Sequence, residues 1–364
     1  MVTMSDAIMP VNKELYMLAK NEEAPMYQPP EDTYMLACCR HGYLKVAQAL
    51  ADTTRRVLIP GYTCETCIKP FVHSGWTPSF YGVGKDLRLD EKQFLAVLEA
   101  TKPDVVVAQR LYGMEFTQRE RELFAYAKEQ GAFLLEDITH SIFTKPDDLF
   151  DVSTGSAMKW FPIPDGAIYR SKVLPIENMD ELEEHTDYAK AKLDLQYVRH
   201  KAYETDDQTL YTISSHMLGD ITKYNTNVME IKRMSDASFR ILSQEDFEAN
   251  SQRRLENAKI LWDGLKGHPR FERIYKDISD AVTGPLWFPT YMDMADRVKR
   301  KEIRKEILKA GVQGVGLWPL KTAAAAITDD VKYIYKNIVV FPISQNYGKK
   351  DMEYMLEVLW DKAK

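Results

Sequence analysis

Short apolar segments alternate with helical segments through the first part of the chain, and this alternation is the strongest constraint on its fold. Four segments have the apolar and β-branched runs typical of strands. They are Arg56–Pro60, Pro78–Gly82, Asp104–Ala108 and Ala132–Asp137. Helical patterns separate them, at Thr63–Val72, Asp90–Ala100 and Thr117–Glu129. Strands joined by crossover helices pair in parallel with right-handed connections. The sequence therefore predicts an α/β fold with a mostly parallel sheet flanked by helices.

The chain is long enough for two domains, because its 364 residues exceed the usual size of one. Residues 1–33 contain prolines and no sustained periodicity, which predicts an N-terminal arm with at most one short helix. Residues 34–265 are predicted to form the large domain, with a charged helical insertion at about residues 179–230. In residues 266–364 strand-like segments lie between helices, so we expect a smaller C-terminal α+β domain.

Charge and hydropathy argue against several classes of protein. The net charge of −6 is modest and dispersed, which argues against nucleic acid as a partner. One basic run, Arg297–Lys309, has apolar residues at helical spacing, and we interpret it as the solvated face of an amphipathic helix. No run of about 18 apolar residues occurs, and the first residues lack the pattern of a signal peptide. We therefore expect a cytoplasmic protein without a membrane partner.

The cysteines form two close pairs, Cys38 with Cys39 and Cys64 with Cys67. The second pair has the CxxC spacing of redox and zinc sites. A zinc site needs a second pair of ligands, however, and two adjacent cysteines do not readily chelate one ion. We therefore interpret these residues as structural thiols and predict no metal site.

Acidic residues end the fourth predicted strand. Its run Ala132–Leu135 is typical of a strand buried on both faces, and Glu136 and Asp137 follow. Ligands of open α/β sheets bind beyond this edge, and the next strand and loop bring Lys159 there. An aspartate and a lysine together have two interpretations: an ordinary ion pair, or a site for pyridoxal phosphate (PLP). In a PLP site the lysine forms a Schiff base with the aldehyde, and the aspartate keeps the pyridine nitrogen protonated.

The helix start near residue 40 also has two interpretations. Arg40, His41 and Gly42 open onto a helical pattern that continues to Leu50. The first backbone N–H groups of a helix have no partner within it, and they favour an anion such as phosphate. Because the segment is not glycine-rich, an ordinary helix start is the alternative.

Several motifs occur in a defined order. The chain reads V-L-I-P-G-Y-T at Val57–Thr63, L-Y-G at Leu111–Gly113, E-D-I-T-H-S at Glu136–Ser141, S-x-x-K at Ser156–Lys159 followed by Asp165 and Gly166, and R-M-S at Arg233–Ser235. From about Tyr34 to the C-terminus the chain thereby resembles the aspartate-aminotransferase-fold enzymes (fold type I). Within them it resembles the nucleotide-sugar aminotransferase family DegT/DnrJ/StrS, whose corresponding motifs include V-I-V-P-S-Y-T, H-L-Y-G, E-D-A-A-Q-A and N-x-R-M-S.

The resemblance implies roles for individual residues. Lys159 would form the Schiff base with PLP and carry the proton between substrate and cofactor, and Asp137 would pair with the pyridine nitrogen. His140, where the family has glutamine, would hydrogen-bond the ring hydroxyl of the cofactor; a structural histidine is the alternative. The cofactor phosphate would be bound by Ser156 together with Cys39, Arg40, His41 and Gly42.

The chain departs from the family pattern at two positions. Where the family usually stacks an aromatic residue on the cofactor, this chain has Cys64, and we predict that Tyr62 takes that role. The family's asparagine, which reaches the phosphate in the partner subunit, is Ile231 here, with Lys232 beside it. Both contacts therefore stay open.

These features together predict a PLP-dependent aminotransferase that transfers an amino group from glutamate to a keto-sugar nucleotide. Two alternatives stay open: an aminotransferase of small keto or amino acids, and a PLP-binding protein without turnover. The residues predicted to contact the substrate lie at strand ends, beside the lysine and in the small domain. They are Arg110, Tyr112, Trp160, Trp318 and Lys321. The resemblance also implies a homodimer with its sites at the subunit interface.

Overall fold

The computed structural model describes residues 9–221, 230–292, 294–314, 316, 318 and 328–364. Within these ranges the strands are Thr33–Leu36 (β1), Arg56–Pro60 (β2), Thr77–Tyr81 (β3), Val105–Gln109 (β4), Phe133–Asp137 (β5), Val152–Ser156 (β6), Ala167–Arg170 (β7), Glu272–Arg273 (β8), Trp287–Tyr291 (β9) and Ile338–Pro342 (β10). The α-helices are Lys13–Lys20 (α1), Cys39–Ala49 (α2), Glu65–His73 (α3), Glu91–Thr101 (α4), Gln118–Glu129 (α5), Thr186–Thr205 (α6), Gln208–Ile221 (α7), Asp236–Leu242 (α8), Phe247–Gly264 (α9), Arg297–Lys309 (α10), Asp329–Asn337 (α11) and Lys349–Lys362 (α12).

Strands β1 to β7 of the described chain form one sheet in the order β1-β7-β6-β5-β4-β2-β3. Neighbours from β6 to β3 are parallel, whereas β7 runs antiparallel to both β6 and β1. Residues Val105–Ala108 of β4 are all buried, as expected for a strand with both faces covered. The prediction of an α/β fold with a mostly parallel sheet flanked by helices is therefore confirmed.

Local sequence signals account for the element boundaries. β2 has the predicted bounds Arg56–Pro60. β3 and β4 are each shifted by one residue from the prediction, and β5 begins one residue later than predicted. Helix α5 begins after Thr117, whose side chain accepts a hydrogen bond from the Glu120 backbone while the Glu120 side chain accepts one from the Thr117 backbone. This reciprocal capping box satisfies two N–H groups that a helix start otherwise leaves without partners.

The charged region predicted as a helical insertion contains α6 and α7, which pack against each other as a helical hairpin. The break between them lies at Asp206, which has a left-handed φ of 53°. A small apolar cluster that includes Tyr188, Leu195 and Ile221 holds the pair together. Residues 222–229 of the predicted insertion lie outside the described ranges.

Strands β8, β9 and β10 form a separate antiparallel sheet in the described chain. Helix α9, which ends at Gly264 just before the predicted division, packs against β9 and α12. One apolar core extends from Leu58 and Phe124 of the first sheet's layer to Phe341 of the second sheet. No helix among the described residues is long and apolar enough to cross a membrane.

Candidate active site

A cavity of about 310 Å³ lies beyond the carboxyl ends of β4, β5 and β6. The strand register aligns Gln109 with Asp137, and Asp137 with Thr154, so these strands end at the same edge of the sheet. The described residues that line the cavity are Cys38, Cys39, Arg40, Tyr43, Cys64, Thr66, Cys67, Gln109, Asp137, Thr139, Ser156, Met158, Lys159 and Trp318. The structure therefore brings together the aspartate and the lysine predicted at this edge.

Asp137 is a buried carboxylate whose hydrogen-bond donors among the described residues are all neutral. Its side chain is 1% exposed. Oδ1 accepts a hydrogen bond of 2.7 Å from the Thr139 backbone, and Oδ2 accepts one of 2.8 Å from the Tyr43 hydroxyl. The Cys67 thiol and the Gln109 amide each donate to Oδ2 at 3.4 Å. These contacts hold the carboxylate in place without neutralising its charge.

Neither Asp137 nor Lys159 forms an ion pair with any described residue. The ordinary Asp–Lys ion pair, one of the two interpretations open from the sequence, is therefore not present. A buried charge is unfavourable unless it is paired. The cavity thus holds a carboxylate whose geometry suits a cationic group of a ligand, and a lysine amine without a carboxylate partner among the described residues.

A tight turn presents Lys159 to the cavity. It ends the 3-10 turn Ala157–Lys159 that follows β6. The carbonyl of Gly166 accepts hydrogen bonds from the backbone of Ala157 at 3.0 Å and of Met158 at 3.2 Å. Gly166 has a φ of 136°, and a Cβ there would contact the Met234 sulfur at 2.7 Å, so only glycine fits.

Asp165, the residue before that glycine, also stabilises the turn. The buried Asp165 carboxylate accepts hydrogen bonds from the Ser235 hydroxyl at 2.6 Å and from the Ser238 hydroxyl at 2.5 Å. Burial raises the pKa of Asp165 to about 6, while these serines oppose the shift. The Asp165–Gly166 and Arg233–Ser235 motifs are therefore one structural unit that positions Lys159.

The N-terminus of α2 faces the cavity, with Cys39 and Arg40 in its lining. Cys38, at the N-cap position, makes no side-chain capping hydrogen bond. The Oγ of Ser156, another lining residue, has no hydrogen-bond partner among the described residues, although the residue is only 3% exposed. A helix N-terminus attracts anions through its N–H groups and its dipole. The chemistry of these groups suits a phosphate.

Two residues of the predicted phosphate segment, His41 and Gly42, do not line the cavity. His41 is fully buried, and its Nδ1 lies 3.2 Å from both the backbone N and the backbone O of Lys232. Burial lowers the pKa of His41 to about 4. A Cβ at Gly42 would collide with the Thr154 side chain, so glycine there lets α2 lie close to β6. Both residues position the helix.

His140 lies beside the cavity without lining it. It is 1% exposed, and neither ring nitrogen has a hydrogen-bond partner among the described residues. Its ring stacks on Trp318, with centroids 5.3 Å apart, and packs against Tyr112 at 4.7 Å. Burial lowers the pKa of His140 well below its usual value, and the charge of Lys159 lowers it further. The imidazole is therefore neutral, with one donor and one acceptor available.

Tyr62 does not reach the cavity, which differs from its predicted stacking role. The ring is fully buried, and its hydroxyl lies 3.2 Å from the hydroxyl of Tyr112, which is equally buried. Tyr62 instead supports Trp318, with ring centroids 4.7 Å apart. Trp318, which was predicted to contact the substrate, lines the cavity.

Arg110 is also absent from the cavity, and Glu136 is the reason. Successive residues of a strand point to opposite faces, so Glu136 lies across the sheet from its neighbour Asp137. Arg110 is 2% exposed and forms ion pairs with Glu136, Glu115 and Asp147. Its charge is needed to compensate buried carboxylates and is not available to a substrate.

The remaining predicted substrate residues are accounted for as follows. Trp160 is fully buried, its indole donates a 2.9 Å hydrogen bond to the Thr139 carbonyl, and the Arg254 guanidinium lies 4.7 Å over its ring. It is a core residue that supports the cavity wall. Lys321 lies outside the described residues. Lys232, beside the departure at Ile231, pairs with Glu183 at 3.2 Å.

Sequence reasoning missed several cavity residues. Gln109 and Thr139 follow from the strand-end argument, because one ends β4 and the other comes two residues after β5. Tyr43 and Cys67 come from helices α2 and α3, whose sequences carry no such signal. Burial raises the pKa of the Cys67 thiol well above its usual value, and the Asp137 charge adds to the effect. Cys67 is therefore a neutral donor to Asp137.

No protein-family model matches the chain, and no curated protein sequence matches it. Solved structures do match. The sugar aminotransferase CalS13 from Micromonospora echinospora superposes with a TM-score of 0.66 at 15% identity, covering 98% of this chain and 99% of that chain. A DegT DnrJ EryC1 StrS aminotransferase from Brucella abortus gives a TM-score of 0.59 at 14% identity, covering 96% of this chain and 90% of that chain.

This chain has the fold of the sugar aminotransferases. A further structure with this fold, the PLP form of Spr1654 from Streptococcus pneumoniae, matches with a TM-score of 0.66 at 15% identity, covering 98% of this chain and 97% of that chain. The fold type I architecture and the structural resemblance that the motifs indicated are thereby confirmed. At this identity the fold is what is shared, so the activity has to be argued from the side chains around the cavity.

Proposed function

We propose that the chain is a PLP-dependent aminotransferase that moves an amino group from glutamate to a keto-sugar nucleotide. The observation that carries the proposal is the pair formed by Asp137 and Lys159 in one cavity. Asp137 is buried without a cation, and Lys159 has no carboxylate partner among the described residues. Two comparisons support it: CalS13 is a sugar aminotransferase, and Spr1654 has been solved in PLP and PMP forms.

The residues around the cavity fit the aldehyde, the pyridine nitrogen and the phosphate of PLP. Asp137 offers a carboxylate to a protonated pyridine nitrogen. The first turn of α2, with Arg40, and the unpartnered Ser156 Oγ offer donors to a phosphate. His140 lies beside the cavity without lining it, so its neutral imidazole supports the cavity wall through Trp318 and is not assigned a contact with the cofactor.

When bound, PLP supplies an electron-withdrawing ring that stabilises negative charge at the substrate carbon. The chain's own residues do the rest. The Asp137 carboxylate, fixed by Thr139 and Tyr43, keeps the proton on the ring nitrogen. The Lys159 amine would hold the cofactor through its aldehyde and would carry the proton from the substrate carbon to the cofactor. The turn held by Gly166 keeps this amine in the cavity.

The function is tested by comparing the wild type with Lys159→Ala in the presence of PLP. The wild type should show the visible absorbance of a lysine-bound cofactor, and glutamate should remove it. Lys159→Ala should lack that absorbance and lose at least about 100-fold in turnover, because both the covalent link and the proton carrier are gone. Lys145→Ala, an exposed lysine in the loop after β5, is the matched control and should behave like the wild type.

Circular dichroism of each variant separates loss of chemistry from loss of fold. A folded Lys159→Ala protein that transaminates at the wild-type rate would rule out the proposed role of Lys159. A folded wild type that binds no PLP would rule out the function.

A further inference from the structure

A second cavity, of about 680 Å³, lies along helix α10 and is here named the α10 cleft. Among the described residues that line the cleft, all the charged ones are cationic: Arg297, Arg300, Lys301, Arg304, Lys305 and Lys336. No described lining residue is acidic. The basic run Arg297–Lys309, which we interpreted from the sequence as a solvated helix face, therefore forms one wall of a cavity. The charge within this cleft is strongly positive, although the net charge of the chain is negative.

Five of the six cations that line the α10 cleft lack a carboxylate partner in the described part of the protein. Arg297, Lys301, Arg304, Lys305 and Lys336 form no ion pair with a described carboxylate. Arg304 donates a 3.0 Å hydrogen bond to the Gly314 carbonyl, while its Nε is buried without a partner. Burial lowers the pKa of Arg304 below its usual range. A buried guanidinium donor without a partner, on a residue that lines a cationic cavity, favours an anion there.

The helix bears an electrostatic cost for this arrangement. Ile303 and Ile307 are buried and fix which face of α10 packs on the core. The opposite face then carries like charges four residues apart, such as Arg297 with Lys301 and Lys301 with Lys305. Like charges at this spacing are neighbours on the helix surface and destabilise it. An anion bound in the cleft removes this repulsion.

The α10 cleft adjoins the active-site cavity. Trp318 lines both cavities. Tyr335, also in the lining of the cleft, accepts a 3.1 Å hydrogen bond from the Thr63 backbone and donates to the Thr63 carbonyl at 2.9 Å, directly before the cavity residue Cys64. A ligand that passes Trp318 can therefore occupy both cavities.

We infer that the α10 cleft binds the diphosphate of a nucleotide-linked acceptor, whose keto carbon then lies in the cavity beside Lys159. This inference rests on the proposed function and adds a location for the anionic part of the substrate. A diphosphate matches a cleft with both guanidinium and ammonium groups, which contact several phosphate oxygens at once. Binding energy from this remote group lowers the barrier at the reacting carbon.

The inference is tested first by binding, without turnover. Isothermal titration calorimetry measures the affinity of UDP and of inorganic pyrophosphate for the PLP-loaded wild type and two double variants. Lys301→Gln/Lys305→Gln removes two exposed cations of the cleft. Lys299→Gln/Lys309→Gln removes two exposed cations of the same helix that do not line it, so helix and charge change are matched.

We expect the cleft variant to bind UDP about tenfold more weakly, because two partly exposed charge interactions are lost, and the control to change less than twofold. Equal affinities in both double variants, or no binding of either probe to the wild type at millimolar concentration, would overturn the inference. Tighter, cleft-dependent binding of duplex DNA than of UDP would also overturn it, by assigning the cleft to a nucleic acid.

Kinetics of the two half-reactions separate this inference from the proposed function. The glutamate half-reaction does not use the cleft, so its rate should be the same in all three proteins. With a nucleotide-linked keto-sugar, the cleft variant alone should lose about tenfold in kcat/KM. Activity with glutamate but no selective loss with the nucleotide-linked acceptor would overturn the inference and leave the aminotransferase. No glutamate reaction in the wild type would overturn the proposed function itself.

Discussion

Two adjacent carboxylates on β5 should respond to substitution in opposite ways. Asp137 and Glu136 are both 1% exposed, yet Asp137 faces the cavity and Glu136 faces Arg110 across the sheet. Removing one charge should impair chemistry, and removing the other should impair folding. The pair tests whether the cavity is a catalytic site or merely a polar pocket in a stable fold.

Asp137→Asn should slow the reaction while preserving the fold. An opposite charge at short range moves the pKa of its partner by about 1 to 3. At about 1.4 kcal/mol per pH unit, losing the Asp137 charge removes about 1.4–4 kcal/mol from the protonated ring nitrogen, which lowers the rate about 10- to 1000-fold. In the variant the amide oxygen keeps the hydrogen bond from the Thr139 backbone, and the Tyr43 hydroxyl and the Cys67 thiol can rotate to suit the amide. The free energy of unfolding should therefore change by only about 1 kcal/mol.

Glu136→Gln should show the reverse. Burial raises the pKa of Glu136, with Arg110 and Ser153 opposing the shift, and the substitution leaves the Arg110 charge without its buried partner. Breaking such a pair costs about 3 kcal/mol or more of stability. Urea unfolding measures the stability, and stopped-flow absorbance of the glutamate half-reaction measures the rate. Near-wild-type rates for Asp137→Asn, or a stable but slow Glu136→Gln protein, would refute this reasoning.

Three further predictions concern the phosphate site, the helix behind it and the assembly. Ser156→Ala should weaken PLP binding about tenfold or more, measured by titration of the apoprotein, because a hydrogen bond to a charged group contributes about 1.5–3 kcal/mol. His41, whose pKa burial lowers to about 4, should protonate in the unfolded chain as the pH falls below 6.5 but in the folded chain only near 4. Between pH 6.5 and 4 the free energy of unfolding of the wild type should therefore fall by about 3 kcal/mol relative to that of His41→Gln. Urea unfolding at each pH measures this difference, and the same pH dependence in both proteins would contradict the prediction. Sedimentation should show a homodimer, and a fully active monomer would exclude one.

The sequence predicted the architecture well because local signals agreed with the global pattern. Apolar runs such as Ala132–Leu135, and caps such as Thr117, set the strands and helices within one or two residues. Asp137, Ser156 and Lys159 could be placed at one edge because the carboxyl ends of parallel strands meet there. The strand topology predicted from the sequence was therefore sufficient to place the central site residues.

Side-chain direction was the information that the motifs did not contain. Arg110, Trp160 and Tyr62 come from segments near the site, but each packs into the protein because a buried partner requires it. Gly42 belongs to the predicted phosphate segment but provides close helix packing. Such outcomes depend on contacts between residues that are distant in sequence.

The basic run Arg297–Lys309 illustrates the same limit in another way. Its apolar spacing correctly indicates an amphipathic helix, with Ile303 and Ile307 on the buried face. Whether the opposite face meets solvent or a cavity depends on Lys336 and Trp318, which come from other parts of the fold. Helical periodicity assigns a face, and only tertiary packing assigns what that face meets.

The most direct measurement of the central claim is a single-turnover experiment on the PLP-loaded protein. Glutamate is added until the visible absorbance of the lysine-bound cofactor is lost, excess donor is removed, and acceptors are then supplied separately. We predict that one 2-oxoglutarate forms per site, and that a nucleotide-linked keto-hexose restores the absorbance with a higher rate per unit concentration than pyruvate or oxaloacetate. Restoration by small keto acids alone would contradict the proposed acceptor, and failure of glutamate to remove the absorbance would contradict the proposed donor. If no amino acid converts the bound cofactor, the chain is not an aminotransferase.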